Sequence, residues 1–250
     1  MESATYPTTI TGVDNLAERL QEAVQAFWAR RTGALQRQID SGKVDVGSRG
    51  AVTAGGHMSA IEALVVDLLE EIGLDRLDCK TKVGLELPGY YRPEKRWDLL
   101  VVSRGQLVTA IEFKLQVGPS FGNNYNNRVE EAIGNATDIW TAFREGRLGT
   151  FRPFLGYFFL LEDTAKVHTP LSAKEPYFTV DPAFRSASYS QRYSILCQRL
   201  VLERLYDDAS LTLATKSDQT TVSHPNPDLS FVRFAAQLQG HAMGFARAAS

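Results

Sequence analysis

Apolar positions recur along this chain at two periods, and their order sketches an α/β protein. Leu16, Leu20, Ala23, Val24 and Phe27 fall at helical spacing behind Asp14, whose carboxylate can accept from the open N–H groups of a first turn, and the pattern resumes after Gly33 through Leu35 and Ile39. Residues 47–56 are glycine-rich and read as a flexible connector. Ile61, Leu64, Val65, Leu68 and Ile72 then make a second apolar stripe, which Gly73 ends. Three strands follow at 79–87, 96–102 and 107–115, then a helix over 129–144 and a continuous apolar strand over 154–161 that is buried on both faces. Amphipathic helices are predicted over 189–206 and 231–245, separated by a polar stretch rich in Thr, Ser and Asp. The expectation is one domain over residues 1–250, with a mixed sheet flanked by helices in a core at 58–161 and helical additions at 14–40 and 185–247.

The second and third strands carry the candidate chemistry. Trp97-Asp98-Leu99-Leu100-Val101-Val102 is followed by a tight turn at Ser103-Arg104-Gly105 and by a strand containing Ile111-Glu112-Phe113-Lys114. Side chains alternate along a strand, so Glu112 and Lys114 emerge on one face while Ile111 and Phe113 point to the apolar side. Asp98, one hairpin away, can reach the same spot. Two carboxylates and an ammonium suit a metal-dependent phosphodiesterase, because Mg²⁺ takes oxygen ligands and keeps room for water and phosphate. Glu-x-Lys on a strand is common by chance, and such a face is usually only solvated. Its company singles it out: the preceding Asp, and a Gly/Asn-rich loop that follows at once.

That loop holds Asn123, Asn124, Asn126, Asn127 and Arg128. Asn pairs bidentately with adenine and Arg with guanine or phosphate, whereas in an ordinary turn such side chains bond their own backbone. Position beside the carboxylates favours DNA contact. Lys43, Arg49, Lys95 and Arg96, with Arg30 and Arg31, are the expected phosphate clamps. Glu62, Asp67 and Glu71 flank the second apolar stripe, and helical geometry leaves open which of them adds a further acid.

Composition narrows the picture. The 250 residues, 44% hydrophobic and 22% charged, suffice for one sizeable core. A formal net charge of -2 means that any nucleic-acid affinity must come from local clusters of Lys and Arg. Cys79 and Cys197 lack ligand spacing, which suits a reducing cytoplasm and argues against a zinc site or a disulfide scaffold. The scattered His57, His168, His224 and His241 read as surface or packing residues. No stretch approaches a membrane span, and residues 1–5 carry no targeting pattern.

Several blocks resemble the XhoI family of type II restriction endonucleases. They are Ala23-Val24-Gln25-Ala26-Phe27-Trp28, Gln38-Ile39-Asp40-Ser41-Gly42-Lys43, Val52-Thr53-Ala54-Gly55, Leu87-Pro88-Gly89-Tyr90, Trp97-Asp98-Leu99-Leu100-Val101 and, most specific, Gln116-Val117-Gly118-Pro119-Ser120-Phe121-Gly122-Asn123-Asn124. The order helix, three strands, helix, strand is also the core order of the PD-(D/E)XK nucleases. The resemblance implies Mg²⁺-dependent hydrolysis of double-stranded DNA at the palindrome CTCGAG, after the first C, leaving four-base 5′ overhangs. It implies Asp98, Glu112 and the Phe113 carbonyl as Mg²⁺ ligands, Lys114 as the group serving the attacking water, and Asp67 as the favoured fourth acid. A palindromic target calls for a homodimer. A cognate DNA methyltransferase that protects host sites is the implied functional, not physical, partner. The alternatives are a structure-specific repair or junction nuclease of the same fold, or a non-catalytic DNA-binding module.

Overall fold

The computed structural model describes residues 15–40, 58–119 and 121–248, and its centre is a six-stranded mixed sheet. The strand order is β1 (Cys79–Lys80), β4 (Leu99–Ser103), β5 (Gln106–Gln116), β6 (Phe154–Glu162), β7 (Asp208–Ala214), β8 (Val222–Ser223). The pairs β5/β6 and β6/β7 are parallel and the others antiparallel. The remaining strands, β2 (Glu86–Pro88) and β3 (Glu94–Arg96), form a separate antiparallel ribbon. Parallel neighbours need a crossover. The long α3 (Phe121–Arg144) supplies the first, and the second runs through α4 (Ala165–His168) and α5 (Tyr189–Leu202).

Alternation along β6 shows why the sheet is covered on both sides. Phe154, Phe158 and Leu160 join the core formed with α1 (Leu16–Asp40), α2 (Ser59–Glu70) and α6 (Phe231–Ala248). Leu155, Tyr157, Phe159 and Leu161 join the other core, with α3 and α5. A strand buried on both faces reads as continuously apolar, as residues 154–161 do.

Four expectations need correction. The strand expected at 79–87 is broken, because Gly84 adopts a left-handed φ of 67° and sends Glu86–Pro88 into the ribbon. Likewise Arg96 belongs to the ribbon, and β4 starts only at Leu99. The Gly/Asn loop is helical: α3 begins at Phe121, and Asn123 to Arg128 occupy its first turns. Asn is a poor helix former, but Phe121 and Tyr125 are buried one turn apart and pack on Tyr189 and Tyr193 of α5, so tertiary packing prevails. Finally, the polar stretch in the supposedly helical C-terminal addition contains β7, inside the sheet. Its Asp208, Ser210 and Thr212 are buried as fully as the intervening Ala209 and Leu211. Asp14, residues 47–56, Lys43 and Arg49 lie outside the described residues.

The ribbon tip is tied to α3 through one carboxylate. Asp138 accepts from the backbone N–H of Tyr90 (2.7 Å) and Tyr91 (2.8 Å) and from Arg92 Nε (2.7 Å). A Cβ at Gly89 would stand 2.7 Å from Asp138 Oδ2, so this approach requires glycine. Burial alone would raise the Asp138 pKa, but these donors outweigh it and hold the carboxyl below the usual aspartate range. A depressed pKa contributes stability that is fully present above the unfolded value, about 3.9, and is lost as pH falls through the folded value. Asp138→Asn should therefore cost about 1–3 kcal/mol at neutral pH, the range for a weakened buried charge-assisted bond. In urea titrations the gap between the two proteins should shrink as pH falls from about 3.9 through the lower folded value, below which both carry a neutral side chain. An undiminished gap in strong acid would contradict this account.

Candidate active site

A two-residue hairpin turn and a β-bulge between Val101 and Val102 together set the register on which the site depends. Arg104 and Gly105 sit at φ 51° and 71°, the left-handed pair that matches the twist of the flanking strands. Leu99 then pairs with Ile111, and Val101 with Thr109. This places Asp98, just before β4, beside Phe113, whose backbone N–H donates to Asp98 Oδ2 at 2.8 Å. On β5, Ile111 and Phe113 enter the core beneath α1 and α2. Glu112 and Lys114 take the opposite face, where Lys114 Nζ lies 2.6 Å from Glu112 Oε1. A pocket of about 560 Å³ opens at this end of the sheet, lined by Asp98 and Lys114 together with Arg31, Glu62, Asn124 and Arg128. The three residues singled out from the sequence thus lie together at one end of β5.

Glu112 is only 1% exposed, yet its neighbours favour the ionised form. Burial pushes its pKa up, but Lys114 and then Lys95, 3.4 Å away, outweigh burial and hold it below the usual glutamate range. Asn135 Nδ2 adds hydrogen bonds to both oxygens, at 2.8 and 3.0 Å, and the Tyr206 hydroxyl donates to Oε2 at 3.1 Å. Burial keeps Tyr206 well above the ordinary tyrosine pKa, so its O–H remains available to donate. Asp98 moves the other way. Burial raises its pKa, with Glu112 adding to the rise, and the Phe113 N–H and Lys114 only partly oppose it. Lys95 lies 4.0 Å from the Trp97 ring centroid, and burial lowers its pKa despite Glu112.

The other expected residues divide by helix geometry. On α3, Asn124 and Arg128 face the pocket, whereas Asn126 points into a groove against α5 and Asn127 is exposed. Only the backbone of Asn123 is described. Arg128 donates to Glu131, which also lies 3.4 Å from Lys114. Lys95 turns inward to Glu112 instead of standing out as a phosphate clamp; Arg96 lines the pocket while bonded to Glu86 and to the Lys82 carbonyl. Arg30 donates to Ser59, and Arg31 reaches the pocket wall. Asp67 is corrected: it pairs with Arg76 at 2.7 Å away from the pocket, and Glu71 pairs with Arg19. Glu62 is the α2 acid at the pocket, its pKa raised to about 7 by burial and by the nearby Asp98 charge, with Lys82 opposing. Sequence reasoning missed Asn135 and Tyr206. Asn135 could have been found, since 124, 128, 131 and 135 advance by four, three and four residues along one helical face.

Among the described residues, no three His, Cys, Asp or Glu side chains cluster to hold a metal. The site offers instead two carboxylates, Asp98 and Glu112, next to Lys114. Cys79 and Cys197 are free thiols, and no described helix is long and apolar enough to cross a membrane.

Comparison with known proteins gives a consistent answer. The family model of restriction endonuclease XhoI matches residues 37–225. The type II restriction enzyme BstVI of Geobacillus stearothermophilus is 44% identical over 209 residues, covering 80% of this chain and 93% of the relative. AbrI of Azospirillum brasilense is 46% identical over 170 residues, covering 67% and 76%. XhoI of Xanthomonas vasicola is 45% identical over 183 residues, covering 72% and 73%. No solved structure matches the chain. With more than half its length matched by that family model, and with the hairpin trio in place, the chain belongs to the XhoI family of type II restriction endonucleases, site-specific deoxyribonucleases acting on double-stranded DNA.

Proposed function

We propose that this enzyme cleaves CTCGAG after the first C in a Mg²⁺-dependent reaction, as a homodimer whose two-fold axis coincides with that of the DNA. The observation that carries the reading is the convergence of Asp98, Glu112 and Lys114 at one end of β5. The donor set fits a hard cation, being all oxygen with few carboxylates, as Mg²⁺ that retains waters and takes phosphate requires. Asp98, Glu112 and the Phe113 carbonyl would hold Mg²⁺, which when bound neutralises phosphate charge and acidifies a water. Lys114, fixed by Glu112 and Glu131, orients the attacking water. Arg31 and Arg128 bring positive charge to the pocket wall, where a phosphate would lie. Glu62, with a pKa of about 7, can take or give a proton near neutral pH.

For DNA contact the pocket-facing Asn124 and Arg128 are the favoured base-edge or phosphate partners, ahead of Asn126 and Asn127. Arg96 remains a candidate clamp at the rim, and Lys43 and Arg49 remain proposals from sequence. The paired methyltransferase and a cytoplasmic location, the latter supported by two free thiols, belong to the same reading.

Plasmid digestion with Mg²⁺ and mapping of the ends tests it directly. Discrete fragments with TCGA 5′ overhangs are expected, and Glu112→Gln should lose several orders of magnitude in rate. Ends at another sequence would remove the CTCGAG assignment; undiminished cleavage by Glu112→Gln would remove the metal-site assignment. The choice between helix acids has its own test. Glu62→Gln should slow cleavage about tenfold or more, in the range of residues that support a metal site, while Asp67→Asn should stay within about twofold, as a surface change does. The reverse order would restore Asp67.

A further inference from the structure

Glu112 is reached from α3 by a side chain that none of the expected roles includes. Asn135 is buried, and its Nδ2 straddles the carboxylate at 2.8 Å from Oε1 and 3.0 Å from Oε2. The opposite end of the same amide is also engaged: Oδ1 accepts from Arg92 Nη2 at 2.8 Å. The chemistry of these neighbours dictates the amide's orientation. A guanidinium can only donate and an ionised carboxylate can only accept, so the amide oxygen must face Arg92 and the NH₂ must face Glu112. Arg92 is itself held, because its Nε donates to Asp138 Oδ2 at 2.7 Å, and Asp138 sits one helical turn beyond Asn135. Tyr206 offers Glu112 a weaker hold, since its one proton is divided between Glu112 Oε2 at 3.1 Å and the Ala132 carbonyl at 3.2 Å.

We propose that Asn135 is a positioning residue: its amide fixes the plane of the Glu112 carboxylate and thereby sets the divalent-cation affinity of the site. The inference rests on the reading of Glu112 as a cation ligand. A glutamate has three rotatable bonds between backbone and carboxylate, and the two ammoniums are point charges that attract Glu112 without defining its plane. An amide nitrogen that contacts both carboxylate oxygens does constrain it. Partners of this kind typically change metal affinity or activity by about 10–100-fold when removed. The same bonds also link the ribbon tip to the carboxylate through Asp138, Arg92 and Asn135. A purely structural role, anchoring the ribbon, is therefore the competing explanation, and the variants must separate the two.

Mn²⁺ binding to the full chain, followed by electron paramagnetic resonance, is measured for the unaltered protein, Glu112→Gln, Asn135→Ala and Arg92→Ala. Single-turnover rates are measured on a plasmid that the unaltered protein cuts. Glu112→Gln should lose Mn²⁺ binding and cleavage together. Asn135→Ala should weaken Mn²⁺ binding and lower the saturating rate by about 10–100-fold, with the half-saturating enzyme concentration within about twofold. Arg92→Ala severs the bond between the ribbon and Asn135 but leaves the amide next to Glu112, and should retain most of both properties. Asn135→Ser replaces Asn135→Ala should the latter not fold, since a hydroxyl on Cβ is too short to reach both oxygens. If Asn135→Ala keeps Mn²⁺ affinity and rate while Glu112→Gln loses both, the positioning role is overturned and the reading of Glu112 stands. Equal losses in Arg92→Ala and Asn135→Ala would mean ribbon anchoring and would also overturn it. If Glu112→Gln itself retains Mn²⁺ binding and cleavage, the reading of Glu112 falls first.

Discussion

A carboxylate sealed from water must be matched by charge and hydrogen bonds, or it takes up a proton, and Glu112 is the group around which this molecule solves that problem. At 1% exposure it has lost nearly all hydration. Lys114 and Lys95 supply compensating charge, and Asn135 and Tyr206 supply directed donors. Each compensating group comes from a different element: β5 itself, the ribbon strand β3, helix α3 and the segment entering β7. The fold and the charge of Glu112 are therefore mutually dependent. Asp98, less completely compensated, is shifted by its environment in the opposite direction.

The rest of the architecture follows from bringing those groups together. The Arg104-Gly105 turn and the bulge between Val101 and Val102 together fix the register that carries Asp98 to Phe113. Parallel pairing of β5 with β6 demands a crossover, and α3 fulfils it while carrying Asn124, Arg128, Glu131 and Asn135 along the reactive strand. The β2/β3 ribbon is the less obvious part. It brings Lys95 to the carboxylate and is held in place at its tip by Asp138.

Much of this was legible in the sequence where one physical pattern dominates. Period-two alternation placed Glu112 and Lys114 on one face, and the apolar run of β6 announced a strand buried on both sides. Legibility failed where two patterns competed. Gly122 and the asparagines of 123–127 carry turn chemistry, and it took the burial of Phe121 and Tyr125 against α5 to make them helical. In β7 the alternation was present, but polar Asp208, Ser210 and Thr212 suggested a solvated stretch, whereas the sheet buries them. Glu62 and Asp67 could not be told apart from spacing on one helix. Only the tertiary partners, Arg76 for Asp67 and the Asp98 pocket for Glu62, distinguish them.

The central claim is that Glu112 stays ionised in the closed site because two ammoniums outweigh its burial. Carbon-13 labelling of glutamate side chains and titration of the metal-free protein by NMR measures this directly. The account predicts a Glu112 carboxyl resonance that keeps its ionised shift down to a pH below the ordinary glutamate pKa, about 4.3. A Glu112 that takes up its proton well above that value, as desolvation alone would dictate, would contradict the account.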